Sequence, residues 1–387
     1  MKLTLMNKNT PVLDMEFSLR RGGFVQDIET LHNPEYAPLG LADDYNYIDV
    51  DKLSDWWEGR SLPDSRLNVE RLLESVQLSK QELIINSLGL SLSDQYWVKP
   101  VGAETTWEEV NFFQNDFSDR VGKLFFDGSR NPTKDSETLR SFSPDYSSNG
   151  FLDKYWTIEE GRRVLVKGGH GAFHQQPYNE VTASNILKDV CCKAFVPYTL
   201  EQSRQGAVSK CQNFVTEDTE YVPASLIRQR LPIREKDTYY SHFMRCCRKL
   251  GFDKMMKKAL DYTLTFDYLI ANEDRNYGNF GVIRNVETLK VVGVAPIFDN
   301  GNSFWYNQAQ ISNKDVKAYP FALTQNEQIG FANIDAFPLD KLKNIVSVIR
   351  KGLSDNPECS EERIEKICQA VKERGRNLVC RRQVHVM

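Results

Sequence analysis

Long apolar runs are missing from this chain. No stretch approaches the about 18 consecutive apolar residues that a membrane helix needs. The first residues, MKLTLMNKNTPVLD, hold no apolar core of signal-peptide length, so a cytoplasmic protein is expected, with export by another route left open. Charge of one sign is not in excess either. Lys and Arg number 49 against 53 Asp and Glu, a net charge of -4, so no overall field draws the chain to nucleic acid. Histidine is sparse, at His32, His170, His174, His242 and His385. Eight cysteines are present at positions 191, 192, 211, 246, 247, 359, 368 and 380, and none forms a Cys-x-x-Cys pair. That spacing argues against structural zinc and suits free thiols in a reducing compartment. Gly-Gly-His170-Gly-Ala-Phe-His174 could seat a metal on paper, but a polar loop accounts for it more simply. Neither repeats nor low-complexity tracts occur.

What is present centres on residues 266–304. An apolar helix end (Phe266, Tyr268, Leu269, Ile270) runs into a polar loop that carries Asp274, with Asn279 five positions later. A strand-like segment (Phe280, Val282, Ile283) follows, and an apolar run over 291–297 leads to the turn Asp299-Asn300-Gly301. Phosphoryl transfer asks for such a set: one carboxylate for the attacking hydroxyl, and an amide oxygen with a second carboxylate for Mg²⁺. Mg²⁺ is a hard ion that prefers oxygen ligands, which Asn and Asp supply. The spacing Asp-x-x-x-x-Asn equals that of protein-kinase catalytic loops, and an apolar-Asp-x-Gly turn follows it, with Asn300 where those kinases have Phe. Solvated acids in a helix-loop-hairpin are the plain alternative, and the spacing alone is weak. Two motifs in order, each with apolar flanks, argue against that alternative.

The runs LIANEDRNYGNFG and PIFDNGNS resemble the HipA-like serine/threonine kinases, of the persistence-toxin type and its cell-translocating relative. The resemblance extends over nearly the whole chain and is most specific over residues 145–305. It implies an α+β, bilobal protein-kinase-like fold with a small N-terminal subdomain and a helical C-terminal lobe. The expected divisions are an N-terminal α+β subdomain (1–126), a nucleotide-binding lobe (145–224) and a helical lobe with the catalytic loop (225–387). Asp274 is then the catalytic carboxylate, and Asn279 and Asp299 the Mg²⁺ ligands. ATP and Mg²⁺ are the implied cofactors. The segment ahead of the first lobe strand, Tyr146-Ser147-Ser148-Asn149-Gly150, takes the place of the phosphate loop. It lacks the several glycines of eukaryotic kinases, yet its Ser and Gly amides could cradle phosphate. Ser147 or Ser148 is the implied autophosphorylation site.

Lys167 ends the apolar strand Val164-Leu165-Val166, where a lysine can reach the nucleotide phosphates. Glu180, early in the helix opened by Pro177, can hold it extended. Upstream, alternation at Leu3, Leu5, Val12, Leu13, Met15 and Phe17 predicts a hairpin within residues 1–25. A helix is expected from Asp64 or Ser65 through Leu67, Val69, Leu72, Leu73 and Val76, and a capped one from Ser79 with Glu82 to Gly89. Thr106 with Glu109 predicts another over Trp107, Val110, Phe112 and Phe113, whose aromatics suit core packing better than a binding platform. Residues 127–150 read as a long polar loop. Strands are expected over 194–199 and 211–214. Later come helices over 241–250, from an Asp253 cap into the catalytic loop, and over 339–353 and 360–379. Lys254, Lys257 and Lys258 give one helix a basic face, which reads first as solvated.

The implied activity is ATP- and Mg²⁺-dependent phosphorylation of Ser or Thr on protein, the chain itself included. Three alternatives stay open: a nucleotide-binding regulator without transfer activity, a toxin component partnered by a small DNA-binding antitoxin, and a lipid or small-molecule kinase. The chain itself shows no DNA-reading motif.

Overall fold

The apolar alternation near the N-terminus builds two antiparallel strands, β1 (Lys2–Asn7) and β2 (Thr10–Ser18), with Leu3 opposite Met15 and Leu5 opposite Leu13. In this structure, a computed structural model, the described residues are 1–19, 23–62, 73, 79–127, 138–139, 141–147, 153–314 and 316–384. The helix expected from Asp64 or Ser65 falls outside them except for Leu73, and most of the polar stretch 127–150 does too. Two compact units make up the chain. The first comprises Met1–Lys167, Gln212–Val222 and Ile283–Val292; the second comprises Gly168–Cys211, Pro223–Val282 and Gly293–Met387.

In the first unit the hairpin gains a strand on each side. β3 (Phe24–Leu31) and β4 (Tyr96–Pro100) complete the antiparallel order β3-β2-β1-β4. β3 escapes a reading by alternation because only Val25 of it is buried. Helix α1 (Val50–Glu58) starts at Asp49, whose carboxylate accepts from Lys52 N at 3.0 Å, and buries Leu53, Trp56 and Trp57. Helix α2 (Lys80–Asn86) has the expected capping box of Ser79 and Glu82. After it Gly89 adopts φ +66°, and a Cβ there would lie 2.6 Å from the Trp57 ring. Glycine meets both demands.

Helix α3 (Trp107–Val110) opens at Thr106 as expected but stops before Phe112 and Phe113. Asn111 ends it: its Oδ1 accepts from the Phe113 and Gln114 amides at 3.0 and 2.8 Å. Such local side-chain bonds compete with the helix ladder. The aromatics are core, as Trp107 and Phe112 cluster with Met6, Leu90, Leu92 and Trp97, and Phe113 packs against them. After helix α4 (Arg120–Asp127), the hairpin of β5 (Lys154–Glu159) and β6 (Arg162–Lys167) turns through Glu160 and Gly161, at φ +50° and +75°. Two positive φ values suit the right-handed twist of a tight hairpin.

Most of a three-stranded sheet, β9-β8-β7, comes from the two returning segments: β7 (Thr219–Pro223), β8 (Gly281–Asn285) and β9 (Val291–Val294). A buried charge pair fastens these segments to the rest. Arg284 bonds Glu220 and donates to the Tyr96 hydroxyl at 2.7 Å, and Tyr96 in turn donates to Tyr36 O at 3.0 Å. Both charged side chains are 3% exposed.

The second unit is mainly helical. Helix α5 (Gln176–Asp189) carries Pro177 in its first turn. Helix α6 (Tyr239–Lys249) starts at Thr238, a little earlier than the sequence suggests, with Ser241 completing its capping box. Helix α7 (Asp253–Ile270) has Asp253 as its first helical residue and not as its cap. A carboxylate there still favours the positive helix end. Helices α8 (Ile345–Leu353) and α9 (Glu361–Val384) close the unit, and residues 339–344 of the expected 339–353 helix are 3-10. Its core joins Ile186, Leu187, Phe266, Leu269, Ile270, Ile349, Leu353, Ile367 and Val371.

The strands expected over 194–199 and 211–214 are displaced. The hairpin lies at Thr199–Ser203 and Gly206–Gln212, in a polar, half-exposed stretch. The apolar residues that suggested the first strand do other work: Phe195 bridges Ile297, and Val196 N donates to Ile297 O at 2.9 Å. The packing of half-buried Phe195 and buried Val196 beside Ile297 leaves no hairpin signature in sequence.

Glu220→Ala should strand the Arg284 guanidinium without its counter-charge, with a loss of about 3–5 kcal/mol. A fall in the urea midpoint would show it. Glu220→Leu together with Arg284→Met should lose much less.

Candidate active site

Helix α7 delivers the loop. Its last apolar turn is buried, and Ala271 ends it in the left-handed region at φ +54°, with Phe304 N donating to Ile270 O at 2.8 Å. Asn272 then caps the turn onto Asp274: its Oδ1 accepts the Asp274 amide at 3.1 Å, and its Nδ2 donates to Asp267 at 2.9 Å. The Asp274 carboxylate receives one amide on each oxygen, Asn276 Nδ2 at 2.9 Å and Asn302 Nδ2 at 3.1 Å. Asn279 donates its Nδ2 to Asp274 O at 2.9 Å. That bond leaves Asn279 Oδ1 as the side chain's acceptor atom.

Arg275 ties these pieces together. It is 1% exposed and fully committed. Nε and Nη2 take the two oxygens of Asp267 at 3.0 and 2.9 Å. Nη1 donates to Asn279 O at 2.9 Å and Phe298 O at 2.6 Å, and Nη2 also to Asn300 Oδ1 at 2.6 Å. A guanidinium has five N–H donors, and all are used. The helix end, the loop and the turn at Asp299 are therefore held by one side chain. Burial works to lower the Arg275 pKa, but the Asp267 carboxylate, with Asp299 and Glu180 behind it, raises it and the net shift is upward.

Asp299 sits at φ +57°, a region unfavourable for most side chains. Its amide approaches the Tyr198 hydroxyl at 3.4 Å. The next amide, Asn300 N, donates to Glu180 Oε2 at 2.8 Å, and Asn179 Nδ2 reaches Gly301 O and Ser303 O at 2.8 and 2.7 Å. Consecutive residues of α5 thus hold the turn, and Gly352 of α8 seats that helix, since a Cβ at 352 would meet Thr182 Oγ1 at 2.0 Å. Phe304 and Trp305 are left-handed as well, at φ +53° and +54°. Burial pushes the Asp274 carboxyl up, the Asn276 amide pulls it down and the charge of Asp299 pushes it up again, with a net rise. The two carboxylates therefore share one field.

The remaining sequence candidates distribute as follows. Glu180 is 1% exposed in the second unit, with the Asn300 amide on its carboxylate. Lys167 belongs to the first unit, at the end of β6 opposite Lys154, and is 4% exposed. Ser147 lies in the first unit in a 3-10 turn, and its hydroxyl donates to Leu90 O at 2.6 Å. Ser148, Asn149 and Gly150 lie outside the described residues. Sequence reasoning missed Arg275, Asp267, Asn276, Asn300 and Asn302. A signal for the first pair existed: Asp267 interrupts a buried apolar helix end, and a buried carboxylate calls for a cation.

No protein-family model and no curated protein matches the chain. Among solved structures, HipA of Shewanella oneidensis MR-1, determined as a toxin–antitoxin complex with HipB and operator DNA, superposes with a TM-score of 0.57. The match covers 97% of this chain and 96% of that one at 13% identity. The chain has the HipA fold. The Helicobacter pylori proinflammatory kinase CtkA also matches, at 20% identity and a TM-score of 0.47, over 60% of this chain and 95% of that one. The α+β architecture expected from the sequence is thus the HipA fold, with Asp274, Asn279 and Asp299 all in its second unit.

Arg275→Met should leave Asp267 buried with only the Asn272 amide for company. A loss of about 3–5 kcal/mol is expected. Arg275→Lys should not restore it, because an ammonium cannot reproduce the planar fork. Thermal unfolding of both variants tests this.

Proposed function

We propose that this chain is a HipA-like kinase that transfers the γ-phosphoryl group of ATP, with Mg²⁺, to Ser or Thr hydroxyls on protein, itself included. The observation that carries the reading is the joining of Asp274, Asn279 and the Asp299 turn through Arg275, within the HipA fold. Asp274 orients the acceptor hydroxyl and takes its proton, and the upward shift of its carboxyl suits a proton acceptor. Asn279 Oδ1 and the Asp299 carboxylate are a hard-oxygen donor set that fits Mg²⁺. Bound there, the ion would neutralise charge on the phosphates. Arg275 keeps the donors fixed, so little reorganisation accompanies transfer. Lys167 keeps the phosphate-contacting role that its sequence position suggests. The committed hydroxyl of Ser147 favours Ser148 as the modified serine.

HipA of Shewanella oneidensis was solved with HipB and operator DNA. By that likeness a small DNA-binding antitoxin is proposed as partner, and co-purification of such a protein with the chain is the check.

Incubation of the purified chain with Mg-ATP should add one or more phosphate masses, read by intact-mass spectrometry, with peptide mapping to separate Ser147 from Ser148. Asp274→Ala should incorporate none while still binding ATP; turnover near the wild-type level would refute the assignment. Asp299→Ala should weaken Mg-ATP binding, and unchanged affinity at low Mg²⁺ would count against a metal role. ATP binding without any transfer, to itself or to generic protein acceptors, would favour a nucleotide-binding regulator.

A further inference from the structure

Both oxygens of the Asp274 carboxylate are held by side-chain amides, but the two amides belong to different segments. Asn276 lies in the same loop and is itself fixed, since its Oδ1 accepts from Gly278 N at 2.7 Å. Asn302 arrives from beyond the Asp299 turn and donates from Nδ2 at 3.1 Å. The backbone of Asn302 is fastened to the same loop, as its carbonyl accepts Glu273 N at 3.0 Å. Its other side-chain atom is unusual: Asn302 Oδ1 is buried and has no hydrogen-bond partner among the described residues. Leaving a buried amide oxygen unpaired is unfavourable. Exchanging N and O by a flip of the amide would set an oxygen against the carboxylate, two acceptors face to face. The bond to Asp274 is thus the one that fixes how this amide is turned.

We infer that Asn302 is a positioning residue, which sets the rotation of the Asp274 carboxylate and links it to the turn that carries Asp299. The inference rests on the kinase reading for its consequence in turnover, and on geometry alone for its consequence in structure. Asn276 by itself leaves the carboxylate a hinge about one bonded oxygen. The second amide removes that freedom. Through Asn302, a displacement of the Asp299 turn also displaces the proton acceptor, so carboxylate orientation and metal-turn geometry move together. Misplacement of a catalytic group by about 1 Å can lower a rate about a hundredfold.

The test compares Asn302→Ala, Asn302→Asp and Asn302→Gln in the full chain. Ala and Asp both remove the donor, and Asp keeps the side chain's size. Each should lower kcat by about tenfold to a hundredfold; KM for Mg-ATP and the unfolding midpoint should change little in Ala, whereas Asp also sets a like charge against Asp274 and should lower its midpoint. Gln keeps an amide and should recover part of the loss. A kcat unaffected in both donor-free variants would overturn the inference. So would a KM that rises in step with the loss, because that signature belongs to a disturbed nucleotide site. A crystal structure of Asn302→Ala gives the arm that does not depend on turnover: the Asp274 carboxylate should be rotated or split between two orientations, and an unmoved one would overturn the proposal. If the wild type transfers no phosphate and the carboxylate still moves in the variant, the kinase reading falls and the positioning role stands.

Discussion

The site depends on a single buried guanidinium. Taking Arg275 out of water is costly, and the cost is offset only because each of its five donors meets an acceptor and the Asp267 carboxylate meets it in bidentate fashion. Those acceptors are spread along the chain at Asp267, Asn279, Phe298 and Asn300. A loop rich in polar residues would ordinarily move. Here it is anchored to a helix end on one side and to a second turn on the other. The placement of the proposed proton acceptor relative to the proposed metal ligands thereby rests on one residue's bonding more than on loop composition.

Around that knot the backbone adopts shapes that most residues avoid. Asp299, Phe304 and Trp305 are all left-handed, at a cost on the order of 1–3 kcal/mol each. Such a conformation persists only where neighbours fix it. Asn179 and Glu180 do so from the first turns of α5, and Gln175 just before it by donating to Phe304 O at 3.1 Å. Arg363 of α9 adds a bond to Trp305 O at 2.7 Å. The helices of the second unit therefore do more than supply a core. They hold an unfavourable turn in the one arrangement that presents Asp299.

Much of this could be read from sequence where side chains carry the signal. Asp274, Asn279 and Asp299 stand out through spacing and apolar flanks, and the capping box at Ser79 and Glu82 announces its helix. Where the partner is a backbone group, the sequence is silent: nothing in it says that Glu180 accepts the Asn300 amide or that the Ser147 hydroxyl is spent on Leu90 O. Apolar content misleads at residues 194–199, because Phe195 and Val196 pack beside Ile297 while the hairpin next to them is largely polar. The helix after Thr106 fails to extend for a local reason, the competition of Asn111 for the following amides. Asn302 could not have been singled out at all, since its significance lies in which carboxylate its amide meets.

The partition of the chain has a consequence for its synthesis. The backbone passes between the two units at 167/168, 211/212, 222/223, 282/283 and 292/293. The Glu220–Arg284 pair closes within the first unit, yet residues 223–282, with Asp274 and Asn279 among them, lie between its partners in sequence. On the ribosome, therefore, the first unit waits for residue 292, and by then the loop bearing Asp274 has already been made. Domains made of contiguous chain can fold one after another as they emerge. This chain cannot complete its first unit that way, and a nascent Glu220 is without its cation for more than sixty residues of elongation.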